Sequence, residues 1–285
     1  MKLRLSPLIQ EKVIFFFLFL ATLTIATPVI LVIVVIASRG GSVLSWEFLT
    51  QMPRMGMRAG GIFPAIVGTF YLVVGTLIFS LPIGVFSAIY LSEYARRNWL
   101  TRIIELAIVN LAGVPSVVYG LFGLGLFVVF LNFSASLLAG SLTLGVMALP
   151  VLITASREAL MAVPKSFREV SYSLGATRWQ TIRHAVLPHA LPGILTGTIL
   201  SLSRAAGETA PILFTVAAFY LPKLPGSIFD QAMALPYHLY VLCTQVPNVR
   251  IELQYGTALV LVGLIVITNL AAVVIRSYFR IRKQW

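Results

Sequence analysis

Charge is what this sequence has least of: only 11% of its 285 residues are Asp, Glu, Lys or Arg, where soluble globular chains carry roughly 25%. With 59% hydrophobic residues, that scarcity excludes an ordinary soluble domain. Cysteine occurs once, as Cys243, so no intramolecular disulfide can form and the redox compartment is left unread. Histidine occurs at positions 184, 189 and 238 only. His184, His189 and His238 lack metal-ligand spacing and acidic neighbours, so they are expected as interfacial polar groups and no metal site is predicted. None of the five lysines follows a glycine, which excludes the Gly-Lys of a phosphate-cradling P-loop. No nucleophile–base pair is visible, and an enzymatic role has no stated chemistry.

Long uncharged runs are what the sequence does have. A bilayer core about 30 Å thick takes roughly 20 apolar residues per helical crossing. Such runs place crossings at Val13–Ser38, at Ala59–Ser92, twice within Leu106–Ser156, at about Ala190–Phe219 and at Leu253–Ile275. Lys2, Arg4 and Lys12 make a basic start, but the first run far exceeds the about 7–15 apolar residues of a signal peptide. A first transmembrane helix is expected there rather than a cleaved leader. Pro64 and Pro82 predict kinks in the second run, and residues 132–136 (Asn-Phe-Ser-Ala-Ser) predict the turn between the third and fourth. The reading is an all-α integral membrane protein with six transmembrane helices. Residues 1–58 hold the first helix and an outer loop, and 59–285 the main transmembrane domain. The segment 220–252, with Pro222, Pro225, Pro236 and Pro247, predicts short helices at the outer surface.

The net charge of +12 would point to nucleic acid in a soluble chain; here topology explains it. With both termini cytoplasmic, fifteen of the 21 basic residues fall inside, five outside, and Arg204 within a span, as the positive-inside rule requires. The chain therefore needs lipid and no nucleic acid. Tyr90, Trp99, Trp179 and Trp285 suit aromatic belts at span ends. Glu105, three residues after Arg102, reads as a surface pair.

Residues 157–189 form a cytoplasmic elbow. Ser166 and Glu169 have capping-box spacing, which predicts a helix over Ser166–Leu174. Its periodicity puts Phe167, Val170, Ser171 and Leu174 on one face, with Arg168 and Glu169 elsewhere. Gly175 suits a left-handed C-terminal cap. A second short helix is predicted near Thr177, carrying Trp179 and Ile182, before Leu187, Pro188 and Pro192 lead back to the membrane. Such an elbow is either an interfacial hairpin or a helix shaped for a groove on a partner.

Within the fifth span, Gly197, Ser201, Arg204, Glu208, Pro211 and Thr215 recur at spacings of three and four. Leu200, Leu202, Ile212 and Phe214 are expected to face lipid. Arg204 and Glu208 are either a structural ion pair or the lining of an anion pathway. The third span has its own small face, Asn110, Gly113, Ser116, Gly120 and Gly123, which suits close helix packing or a pathway.

These segments resemble a known family. Glu169-Val170-Ser171, then Gly175, then Leu187-Pro188, is similar to the "EAA" loop of ABC-importer permeases, with Val170 and Ala185 in place of the commoner Ala and Ile. Residues 112–123 (AGVPSVVYGLFG) and 204–211 (RAAGETAP) resemble the third- and fifth-span signatures of phosphate ABC permeases, the latter that of their A-type subunit. The likeness runs from about residue 60 to the C-terminus.

The resemblance implies a type I ABC-importer permease (MetI-like) fold in the bacterial or archaeal cytoplasmic membrane and the import of inorganic phosphate. It implies a heterodimer with a C-type permease, two ATP-binding subunits that hold ATP and Mg, and an extracytoplasmic phosphate-binding protein, with no cofactor on this chain. Ser166, Phe167, Arg168, Glu169, Val170, Ser171, Leu174 and Gly175 would form the coupling helix. Arg204, Glu208, Ser201, Thr209, Asn110 and Ser116 would line the pathway. Molybdate, tungstate or sulfate is the alternative passenger. A stand-alone secondary transporter would need its own coupling-ion site, and the two related halves common in such folds are not seen.

Overall fold

The computed structural model describes residues 7–96 and 98–281. Lys2, Arg4, Arg97, Arg282, Lys283 and Trp285, which entered the charge and aromatic-belt readings, lie outside them. The chain is a helical bundle. Helix α1 (Pro7–Gly40) leads through a 3₁₀ turn to α2 (Trp46–Thr50) and a small antiparallel hairpin of β1 (Pro53–Arg54) and β2 (Ala59–Gly60). Then come α3 (Phe63–Ile89), α4 (Trp99–Ala112), α5 (Ser116–Gly123), α6 (Leu137–Met161), α7 (Lys165–Ser173), α8 (Arg178–Thr181), α9 (Leu187–Gly207), α10 (Ala210–Thr215), α11 (Leu235–Thr244) and α12 (Ile251–Ile281).

Five helical stretches are long and apolar enough to cross a membrane, and six if the bent α4–α5 pair is one span. That matches the predicted number. Three details differ. Pro64 lies in the first turn of α3 and not at a kink, because the hairpin occupies Ala59 and Gly60 and the missing N–H of proline costs nothing in a first turn. The third span is bent by 104° between α4 and α5. Its bend falls at Gly113-Val114-Pro115, where proline removes an amide donor and disfavours helix in the residue before it. The Tyr119 hydroxyl braces the bend, donating to the Leu111 carbonyl at 2.7 Å. The fifth span is also interrupted: α9 ends at Gly207, Glu208 is extended (ψ 131°), and α10 restarts at Ala210.

The core is built in three layers along the bundle. One joins Ala88, Leu160, Ile182 and Ile194 near the elbow. A middle layer joins Leu72, Tyr119, Leu144, Ala205 and Ile212, so Ile212 is buried and not lipid-facing. The third packs Phe48, Ile62, Leu235, Val241 and Leu253 at the far end. Helix α6 is the hub, packing on α3, α9, α5, α4 and α10. Its approach to α9 depends on matched small residues: Gly193 and Gly197 lie directly against Ala159 and Ala155, where an added Cβ would collide. Helix α1, by contrast, is mostly exposed from Glu11 to Arg39 and packs against α12, where Gly40 lies directly on the Tyr255 backbone.

The loops gather at the two ends of the bundle. At one end lie the ion pairs Glu105–Arg157 and Glu93–Arg168, with Arg178 beside the latter and over the Tyr94 ring. At the other, Arg39 lies over the Tyr255 ring at 5.4 Å and the Tyr220 hydroxyl donates to the Pro53 carbonyl at 3.2 Å. There the segment 220–252, expected to form several short helices, contains the single complete helix α11. Its preceding loop supplies the carbonyls of Asp230 and Ile228 to the Leu137 and Leu138 amides, both at 2.9 Å, satisfying donors at the start of α6 that the helix itself cannot.

Candidate functional site

The elbow leaves α6 at Met161 and turns at Pro164, whose extended backbone (φ −54°, ψ 142°) already provides the entry to α7. Lys165 is thus the first helical residue and Ser166 the second, so the predicted Ser166–Glu169 capping box does not form. The capping box of this segment is one helix later: the Gln180 amide donates to Thr177 Oγ1 at 3.4 Å and the Thr177 amide to Gln180 Oε1 at 2.8 Å. Gly175 is the left-handed cap as predicted, with φ +81°. The Gly175 and Ala176 amides donate to the Tyr172 and Ser171 carbonyls at 2.9 and 3.2 Å, a Schellman closure. From Arg178 the chain follows one helical path, through a wide π-helical turn at Ile182–Val186, into α9.

The predicted docking face of α7 is divided. Phe167 turns inward, its ring 4.6 Å from that of His189, and Ser171 shares a 2.9 Å hydrogen bond with Thr181. Val170 (61% exposed) and Leu174 (83%) point outward, beside exposed Ser166 and Glu169. Arg168 also points inward. Its Nε donates to both Glu93 carboxylate oxygens at 3.2 Å, and Nη2 donates to Glu93 Oε1 at 2.6 Å and to the Leu160 carbonyl at 2.9 Å. Nη1 donates to the Val163 carbonyl at 2.9 Å. The two side chains are only 16% and 7% exposed. All three guanidinium nitrogens are used, joining α7 to the end of α6 and to the turn after α3.

Arg204 presents the opposite case. Its Nε donates to Glu208 Oε1 at 3.2 Å, and its terminal nitrogens have no partner among the described residues. The Arg204 side chain is 47% exposed and that of Glu208 16%. The predicted stripe is therefore not one face. Gly197 and Ser201 are buried, Ser201 donating to the Thr198 carbonyl at 2.8 Å. Arg204 instead shares an uncovered face with Leu200 and Gly207. Beyond the break at Glu208, Pro211 and Thr215 return to the interior.

The structure brings the two helix breaks together. Gly120 of α5 packs against Pro211, Phe214 and the Ala210 carbonyl, and Gly123 against Thr143 and Thr215, so these small residues serve close packing. Tyr119 shares the middle core with Ala205, one residue after Arg204. Ser116, half buried, opens α5, exposed Asn110 lies before the bend, and half-buried Thr209 fills the gap between α9 and α10. Asn110 is thus not gathered with Ser201 and Ser116 around a single cavity.

Two other expectations are corrected. Glu105 pairs with Arg157 of α6 at 2.6 Å and not with Arg102. His238 is buried (3% exposed) with no partner for Nδ1, and burial pushes its pKa down to about 4. His184 and His189 donate to helical carbonyls one turn back. Leu235, Val241 and Leu242 of α11 are buried in the far-end core and carry His238 inward with them, a burial that the spacing of the three histidines does not signal.

Residues 80–283 match the family described as binding-protein-dependent transport system inner membrane components. The chain belongs to that family. It is therefore an inner-membrane, multi-pass permease subunit of an ABC importer. It is 33% identical over 279 residues to "Phosphate transport system permease protein PstA 1" of Mycobacterium tuberculosis (strain CDC 1551 / Oshkosh), covering 96% of this chain and 91% of that one. Among solved structures it resembles the inward-facing MetNI methionine ABC transporter (TM-score 0.61, 19% identity, 77% of this chain and 97% of that one). It also resembles a bacterial ABC transporter involved in the import of alginate (TM-score 0.62, 13% identity, 93% and 96%). These two share the fold. In an inner membrane component of this family, work is divided between a membrane pathway and partners that bind substrate and hydrolyse ATP.

Proposed function

We propose that the chain is the A-type permease subunit of an ATP-driven importer for inorganic phosphate. It pairs with a C-type permease, two ATP-binding subunits carrying ATP and Mg, and an extracytoplasmic phosphate-binding protein. Both termini and the elbow face the cytoplasm. Kinship to a phosphate permease supports the substrate, and one observation supports the route. Arg204 is a half-exposed guanidinium at a helix break, paired once and with its terminal donors free. A charge within a span is costly unless it meets water, a partner or a ligand, and a structural pair would use its donors as Arg168 does.

Coupling follows from the elbow. Val170 and Leu174 offer an apolar contact to the ATPase groove, while Arg168 ties α7 to α6 and to the end of α3. When ATP closes the ATPase dimer, a displaced elbow carries those helices with it, and the pathway opens outward. Phosphate near neutral pH still carries a proton and sulfate does not. The Glu208 carboxylate can accept from that proton and repels a fully deprotonated oxyanion, while Arg204 offsets the negative charge.

Uptake of radiolabelled phosphate by the reconstituted complex, competed with sulfate and molybdate, tests this reading. Phosphate uptake should need ATP and the binding protein and resist both competitors. Preferential uptake of another oxyanion would leave the permease fold standing and remove phosphate as its substrate.

A further inference from the structure

At the elbow end, α4 and α6 part to leave a cleft that the coupling and pathway readings do not use. One chamber, of ≈ 730 Å³, gathers the polar side chains of Asn98, Thr101, Arg102, Glu105 and Arg157 beside Leu91, Trp99 and Met161. A second chamber of ≈ 270 Å³ shares Arg102, Glu105 and Arg157 but continues between Leu106, Val109 and Ile153. A polar head thus sits over an apolar slot. Two guanidinium groups face one carboxylate. Arg157 Nη2 is bound to Glu105 at 2.6 Å, its Nε is buried without a partner, and the Arg102 guanidinium has no hydrogen bond or ion pair among the described residues.

We infer that this cleft binds an anionic phospholipid, its phosphate held by Arg102 and Arg157 and an acyl chain lying along Leu106, Val109 and Ile153. The net positive charge of the three ionisable groups complements a phosphodiester. Basic pockets between transmembrane helices take anionic headgroups in this way. A free phosphate would satisfy the arginines but has no use for the apolar slot, and for that reason the site commits to lipid. The cleft adjoins the elbow's anchor, sharing Ser92 and Met161 with the space around Glu93 and Arg168. Lipid bound there braces the last turn of α6, whose Leu160 carbonyl holds Arg168. The inference rests on the membrane placement of the chain and on neither its substrate nor its ATPase.

Native mass spectrometry of the detergent-extracted complete complex, titrated with equal phosphatidylglycerol and phosphatidylcholine, reads the site. The wild type should retain phosphatidylglycerol preferentially. Arg102→Gln should retain roughly fivefold less, the worth of one basic residue near an anionic headgroup. The Arg102 side chain has no partner among the described residues, so this variant keeps the fold, and subunit stoichiometry in the same spectra checks it; Arg157→Gln would strand Glu105. Headgroup-blind retention, or full retention by Arg102→Gln, overturns the inference. A second arm adds millimolar inorganic phosphate and should leave the lipid in place. Displacement of the lipid would mean a free-anion site, and absence of bound lipid would mean that a partner subunit covers the cleft; either result overturns it.

Discussion

Arg168 closes on Glu93 across 75 residues of sequence and spends every guanidinium nitrogen inside the chain. Arg168, which the family resemblance counts among the coupling residues, is thus the one that fixes the elbow to the bundle. Removing one member of such a buried pair costs about 3–5 kcal/mol, because the other charge is stranded. Glu93→Gln should therefore loosen the elbow, seen as faster proteolysis within residues 161–177 and loss of the ATPase from the purified complex. The double variant Glu93→Gln/Arg168→Met should recover much of that loss, since no unpaired charge remains. Strictly additive losses would show that the pair is not coupled.

Exposed apolar side chains on the same helix should behave differently. Val170→Glu and Leu174→Glu alter positions with little internal packing, so the permease itself should change by about 0.5 kcal/mol or less. ATPase retention in a pull-down should fall at least about tenfold, the loss expected from about 1.4 kcal/mol at a small apolar contact. Normal retention by both variants would move the docking surface off α7.

How much of this was legible in the sequence depends on the range of the interaction. Span number, the turn at residues 132–136 and the Gly175 cap follow from uncharged runs and local backbone preference, and each is found where those signals put it. The capping box was legible too, but at Thr177–Gln180; Ser166 carries the same spacing and loses because Pro164 starts the helix one residue early. The bend at Gly113–Pro115 and the break after Gly207 were signalled by Gly and Pro within apolar stretches. Glu93–Arg168 and Glu105–Arg157 carry no such signal. They join helices distant in sequence, and only packing decides which Glu meets which Arg.

His238 predicts acid sensitivity at the end of the bundle opposite the elbow. Its pKa is pushed down to about 4 by burial, from an ordinary value of about 6.5 when unfolded. Below pH 6.5 the unfolded chain takes up a proton that the folded chain refuses, so stability falls as pH drops from 6.5 toward 4, by up to about 1.4 kcal/mol per unit. Thermal unfolding at a fixed scan rate should show a lower midpoint at pH 5 than at pH 7.5. His238→Leu should narrow that gap, and an unchanged gap would place the sensitivity elsewhere.

Cys243 reports orientation. It is exposed on α11 and is the only cysteine in the sequence, so a membrane-impermeant maleimide should label it in right-side-out spheroplasts and not in sealed inverted vesicles. Burial holds the thiol pKa above its usual value, so labelling should quicken as pH rises through neutral, following the thiolate. Labelling confined to inverted vesicles would reverse the assigned topology.

The central claim is that Arg204, free at its terminal nitrogens beside Glu208, meets the transported anion. Uptake of radiolabelled phosphate by proteoliposomes containing the Arg204→Gln complex tests it most directly. Full subunit assembly and retained ATPase docking, with uptake abolished, is the expected result. Transport at the wild-type rate by that variant would contradict it and leave Arg204–Glu208 as a structural pair.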